Sequence, residues 1–170
     1  MDALDNIFSR RSIRAFEEKP ISRENLEIIA KAAIYAPSGM NRQTWQFTVI
    51  SERSKIQQLA GAIAAQLGRD GYDMYNPAAL IIASNLRDSN WGKEDCACAL
   101  ENIFLAANAL GIGSVWINQL GGICDEPNIR KVLDEFGLPA DHLVFGMAAL
   151  GYAAQPPREP DKNQAVIHWA

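Results

Sequence analysis

The amino-acid sequence predicts an α+β domain, a central sheet flanked by helices, and three observations carry that prediction. Several segments repeat apolar residues at helical spacing, while shorter segments alternate or run continuously apolar as strands do. The two kinds are interleaved without the strict strand–helix alternation of a parallel α/β fold. The chain has 170 residues with 48% hydrophobic and 21% charged composition, enough for one domain, residues 1–170, with a sizeable core. No internal repeat, low-complexity block or linker interrupts it.

The first helix is expected from Asp2, a good N-cap, to about Arg10. A second opens at Ser22, carries Leu26, Ile29, Ala30 and Ala33 on one face, and is ended by Pro37. Trp45, Phe47 and Val49 alternate with Gln46 and Thr48, which reads as a strand. A third helix places Ile56, Leu59, Ala60, Ile63, Ala64 and Leu67 at helical spacing, and Ala78 to Ala83 reads as a short buried strand. From Lys93 to Leu110 the pattern is a helix apolar nearly all round, which must be covered on every side. A partner subunit is the economical cover, so the helix predicts a dimer. Gly111 suits its C-cap. Ser114 to Asn118 and His142 to Leu150 are further strands, with a helix between Pro127 and Gly137. Beyond Gly151, the prolines at 156, 157 and 160 exclude a helix and predict an extended arm over residues 152–170.

A formal net charge of −4 argues against broad nucleic-acid binding. No segment has the length and apolarity of a membrane span, and the N-terminus lacks the pattern of a signal peptide. Cys96, Cys98 and Cys124 form no disulfide framework and fit a reducing cytoplasm. Cys96 and Cys98 read as buried inert thiols, His142 and His168 as structural, and the Asp70–Tyr72–Asp73 stretch as a surface loop.

Three segments could carry chemistry. Arg10-Arg11-Ser12-Ile13-Arg14 concentrates guanidinium groups and a hydroxyl, the groups suited to gripping phosphate oxygens; a solvated basic turn has the same composition. Pro37-Ser38-Gly39-Met40-Asn41-Arg42-Gln43 joins a helix to a strand. The Asn41 and Gln43 amides could read the edge of a flat heterocycle, or the segment could be a plain connection. Gly111-Ile112-Gly113-Ser114-Val115-Trp116-Ile117-Asn118 sets two glycines before a strand, without the strand–glycine–helix order of a dinucleotide fingerprint.

Taken together, the Arg-Arg-Ser-Ile-Arg run, the Pro-Ser-Gly-Met-Asn-Arg-Gln-x-Trp loop, Asn102 with the Leu-Gly-Ile-Gly-Ser-Val-Trp-Ile run, and the closing Gly151-Tyr152 resemble the nitroreductase family of FMN oxidoreductases over most of the chain. The resemblance implies a nitroreductase-like α+β fold with a mixed or antiparallel sheet in a domain-swapped homodimer. It implies an FMN site in which Arg10, Ser12 and Arg14, with Arg11 beside them, hold the phosphate. Asn41 and Gln43 would address the ring and ribityl chain from the loop of Pro37, Ser38 and Gly39. Trp116, Ile117 and Asn118 would lie along the isoalloxazine, and Arg158 would reach the phosphate from the tail. The phosphate-binding and amide-bearing segments would come from different subunits.

The implied activity is ping-pong electron transfer from NADH or NADPH to a small acceptor such as a nitroaromatic or quinone, in the cytoplasm, with no protein nucleophile and no metal. The alternatives are a flavin- or nucleotide-binding protein without turnover, and a flavin-fragmenting or dehalogenating enzyme. Glu159 and Asp161 dilute the basic tail expected of the family. The chain is short for the family, which implies a reduced substrate-covering insertion and an open acceptor site.

Overall fold

Apolar alternation in the central strand organises the molecule. In β2 (Ala79–Leu86), Leu80 and Ile82 point to one face while Ala79, Ile81 and Ala83 point to the other, and all five are fully buried. The continuous apolar run is thus two half-patterns, one for each side of a sheet covered on both faces. The computed structural model of the chain describes residues 1–159 and 167–169.

The sheet has four strands in the order β1-β2-β4-β3, with β1 (Gln46–Ile50), β3 (Gly113–Ile117) and β4 (His142–Gly151). Every pairing is antiparallel, and a bulge interrupts the β2–β4 register between Ala83 and Ser84. On one face lie α3 (Arg53–Leu67) and α5 (Pro127–Glu135), whose Ile56, Leu59, Ile63, Ile129 and Leu133 meet Leu80, Ile82, Val115 and Met147. On the other lie α2 (Arg23–Ala33) and α4 (Gly92–Ala109), with Leu26, Ile29, Leu100, Ile103 and Ala107 against Ile81, Ala83 and Ala148. The short α1 (Ala3–Ser9) buries none of its residues and is pinned to α4 through Asn6 and Asn108.

The predicted caps are present: the Asp2 side chain accepts from Asp5 N–H, and the Ser22 hydroxyl accepts from Asn25 N–H. Four expectations need correction. Helix α2 ends at Ala33, short of Pro37, because its last turn tightens through Tyr35 N–H to Ala32 and Ala36 N–H to Ala33. The alternating segment is a strand shifted by one residue from Trp45–Val49, and its Val49 is exposed, since β1 is an edge strand and little packs beyond it. Cys98 is exposed, facing away from the stripe that buries Cys96. In the Asp70–Tyr72–Asp73 stretch the two aspartates are exposed as a surface loop requires, but Tyr72 packs half-buried against the core, next to the fully buried Met74.

Helix α4 is apolar on more of its surface than the chain itself covers. The chain itself covers Cys96, Ala99, Leu100, Ile103, Phe104 and Ala107, and the outward positions include Lys93, Glu94, Cys98 and Glu101. Leu105 and Ala106 on the same helix stay only partly covered and Ala109 is exposed, which leaves apolar surface for the partner that the sequence predicts. Further exposed apolar surface lies on α1, at Leu4, Ile7 and Phe8, and on the stretch Ile34, Tyr35 and Met40. Of the predicted arm, residues 160–166 and 170 fall outside the described residues, and with them the subunit exchange expected of it.

Candidate functional site

The arginine-bearing segment is extended chain laid along the free edge of β3. Ser12 bridges Ser114 in parallel, and Ile13 N–H donates to Ser114 C=O at 2.9 Å. Ile13 is buried against Gly113, where a Cβ would stand 2.8 Å from Ile13 Cγ1, so glycine there permits the close approach. Past this point the tail returns: Phe16 bridges Ala153, and Ala154 N–H donates to Ala15 C=O at 3.0 Å.

The two strips enclose a cleft of about 470 Å³ lined by Arg11, Ser12, Arg14, Pro156, Pro157 and Arg158, among others. Among the described residues that line it, none is acidic. Among the described residues, Arg14 and Arg158 have no ion-pair partner, and Arg11 only reaches the exposed Glu159 at 3.9 Å. Uncompensated guanidinium groups around a concave surface make an anion site. Arg10 is not part of this lining. It turns to Glu101 on α4 at 3.6 Å, and Arg11 Nη1 is tied back to the Phe8 and Arg10 carbonyls.

The second segment lies elsewhere. Pro37 is exposed, and Ser38 to Thr44 wrap the N-terminal end of α4. Gly39 N–H donates to Asp95 Oδ1 at 2.8 Å, Thr44 Oγ1 donates to Asn85 Oδ1 at 2.7 Å, and a Cβ on Gly39 would stand 2.6 Å from the Trp91 indole. Between these anchors Met40, Asn41 and Gln43 have φ of 52°, 54° and 50°. Left-handed conformations cost of order 1–3 kcal/mol per non-glycine residue and persist where surroundings over-determine them. Asn41 and Gln43 are exposed, and the Gln43 Nε2 donates to Asn41 Oδ1 at 2.8 Å. One chain does not bring this loop to the arginine cleft. The loop meets α4 at Asp95, whereas α1 and Arg10, which lead into the cleft, meet it at Asn108 and Glu101, roughly 10–20 Å further along a helix that rises 1.5 Å per residue.

The third segment is the end of β3. Trp116 is partly exposed, tilts against Phe104 with ring centroids 6.1 Å apart, and lies over Gly146. Ile117 is only 2% exposed and faces the α3/α5 core, leaving its backbone as its one face toward a ligand. Asn118 is exposed and lines a separate cleft of about 310 Å³ with Lys93, Gly121 and Phe145. None of Asn85, Trp91 and Asp95 belongs to the motifs that carry the family resemblance. The available signal was Asp95 itself, a carboxylate on the same stripe as Ala99, Ile103 and Ala107. Beside it, burial pushes the Cys96 thiol up to about 12, which keeps it protonated and unreactive.

An α+β domain with a basic cleft at the free edge of an antiparallel sheet is thus the class that fold and site define. The sequence profile described as the Nitroreductase family matches residues 7–152, and the chain belongs to that family. It is similar to a nitroreductase with bound FMN from Bacteroides fragilis, with 38% identity, complete coverage of both chains and a TM-score of 0.93. A nitroreductase with bound FMN from Desulfitobacterium hafniense superposes with a TM-score of 0.87 at 27% identity, covering 100% of this chain and 99% of that one. The FMN reductase [NAD(P)H] of Bacillus subtilis is 28% identical over 186 residues, covering 98% of this chain and 73% of the relative. The nitroreductase-like fold expected from the motifs is therefore the fold observed.

Proposed function

We propose that the chain is an FMN-dependent oxidoreductase that takes electrons from NADH or NADPH and passes them to a small acceptor such as a nitroaromatic or quinone, working as a homodimer. The observation that carries the reading is the cleft lined by Arg11, Ser12, Arg14 and Arg158, with no acidic side chain among its described lining residues. A phosphomonoester brings about −2 charge at neutral pH, and this donor set answers it. The cleft volume also lies within the roughly 300–1,000 Å³ of small-molecule sites.

In this reading Arg14, Arg11, Ser12 and Arg158 hold the FMN phosphate. Arg10 stands behind them on its Glu101 partner, as a source of positive field more than of direct contact. Asn41 and Gln43 read the ring and ribityl chain from the loop of Pro37, Ser38 and Gly39. Trp116, the Ile117 backbone and Asn118 line the ring's edge. Bound FMN supplies the electron-transfer chemistry. The chain's own groups orient it and exclude competing contacts.

The separation of the loop from the arginine cleft along α4 supports a site completed by a second copy. Uncovered Leu4, Ile7 and Phe8 supply apolar surface for that association. Donor and acceptor would then use one pocket in turn, which predicts ping-pong kinetics. No helix among the described residues is long and apolar enough to cross a membrane.

The test is an absorption spectrum of purified protein reconstituted with FMN, followed by NADH and NADPH in turn. Stoichiometric yellow protein that bleaches with a nicotinamide donor is expected. Protein that retains no FMN would overturn the reading.

A further inference from the structure

We infer that Asp95 and Asn85 are positioning residues for the loop that reads the flavin: they tie down its two ends, at Gly39 and Thr44, and so set the direction of the Asn41 and Gln43 amides. The inference rests on the flavin reading above and assigns a task to two residues that the reading leaves unused.

Asp95 sits in the first turn of α4 and is 5% exposed. A carboxylate there would ordinarily serve its own helix, by capping or by the dipole. Its hydrogen bond goes instead to Gly39 N–H, 56 residues away in sequence, and the helix start carries no side-chain cap bond at Trp91. A buried acid turned away from its own helix toward a loop has the loop as its purpose. Asn85 is equally committed. It is fully buried, and its Oδ1 accepts from both Thr44 Oγ1 and Leu86 N–H, while its Nδ2 has only the weakly accepting Cys96 thiol beside it. A buried amide so poorly served is unfavourable, and an apolar residue would pack there without that penalty. What an apolar residue could not do is hold Thr44.

The two anchors bracket the left-handed residues Met40, Asn41 and Gln43. The loop's internal bonds, Ser38 Oγ to Gln43 N–H at 3.2 Å and Gln43 Nε2 to Asn41 Oδ1, join strained residues to one another without fixing them to the body of the protein. Asp95, Asn85 and the flush Trp91 face do that.

The experiment compares Asp95→Ala, Asp95→Asn and Thr44→Val with wild type in two measurements. One is titration of the apoprotein with FMN and with riboflavin, which lacks the phosphate. The other is amide hydrogen exchange at Gly39 and Gln43 in the ligand-free protein. Losing one charge-assisted hydrogen bond that orders the loop should weaken both flavins by the same factor, roughly tenfold, in Asp95→Ala. Exchange at Gly39 should accelerate. Asp95→Asn keeps an acceptor oxygen and should restore both readouts. Thr44→Val is nearly isosteric, folds without a cavity, and should weaken both flavins in the same direction.

Unchanged affinities and exchange in Asp95→Ala and Thr44→Val would overturn the proposal. So would a loss confined to FMN, or an Asp95→Asn protein as weak as Asp95→Ala. If wild type binds neither flavin while exchange at Gly39 still responds to Asp95→Ala, the flavin reading fails and the anchoring of the loop stands apart from it.

Discussion

The Arg10–Arg14 segment and the Gly39–Thr44 loop are both short connections that carry the functional reading, yet they are held in different ways. The first is extended chain docked by main-chain hydrogen bonds to Ser114 and by Ile13 seated over Gly113. Its left-handed-φ residue count is zero. The second is strained, left-handed at Met40, Asn41 and Gln43, and held by side chains from β2 and α4. A segment held by its own backbone carries its chemistry in its own residues. A segment held from outside depends on residues that no local motif contains.

The sharpest break between the two is electrostatic. Arg14→Ala should lower FMN affinity about tenfold to a hundredfold, the range of one charge-assisted contact, while riboflavin binding and unfolding midpoint stay put. Fluorescence titration and urea unfolding check both halves. Next in size is Ile13→Ala, expected to remove about 2 kcal/mol of stability, the lower end for a buried aliphatic truncation because Ile13 borders solvent. FMN affinity should fall with it, since Ile13 docks the arginines. Gly39→Ala should remove about 1–2 kcal/mol, because the added methyl meets the Trp91 ring at 2.6 Å and the indole must shift. Here riboflavin and FMN should weaken together.

The smallest effect is a control in neither region. His142 is buried, with Nδ1 3.1 Å from Ser84 Oγ. Burial lowers its pKa below 6.5, the Asp141 carboxylate pulls it partly back, and Arg130 lowers it further. The folded protein prefers the neutral ring, so this contribution is complete above the unfolded value of 6.5 and is lost as pH falls through the lowered folded value. Unfolding midpoints should decline over that acid window in wild type and decline less in His142→Gln. Flavin binding at pH 7 should be the same in both.

This contrast also explains what was legible in the sequence. Helices α1 to α5 and strands β1 to β4 were legible because caps, prolines and apolar periods are local signals, and Asp2, Ser22 and Pro127 stand where they should. The Val49 and Cys98 exposures were not, because an edge strand and an outward helix face are set by what fails to pack there. The composition of α4 was legible, but how much of it α1, α2 and the sheet cover is a property of the tertiary fold. The arginine cleft was half legible: the segment was, whereas the return of Ala153 and Ala154 alongside Phe16 and Ala15 was not. Asp95 and Asn85 were hidden because each lies more than forty residues from the end of the loop it holds.

The central position of β2 has a consequence for how the chain reaches this structure. Its neighbours are β1, thirty residues upstream, and β4, which is the last strand to be made. During synthesis the uncharged stretch Ala78–Ala83 can pair on one side only, and its other edge stays open until residue 151 has emerged. Slow, concentration-sensitive recovery from denaturant is the expected signature, and a C-terminally truncated chain ending before β4 should precipitate rather than remain a smaller soluble domain.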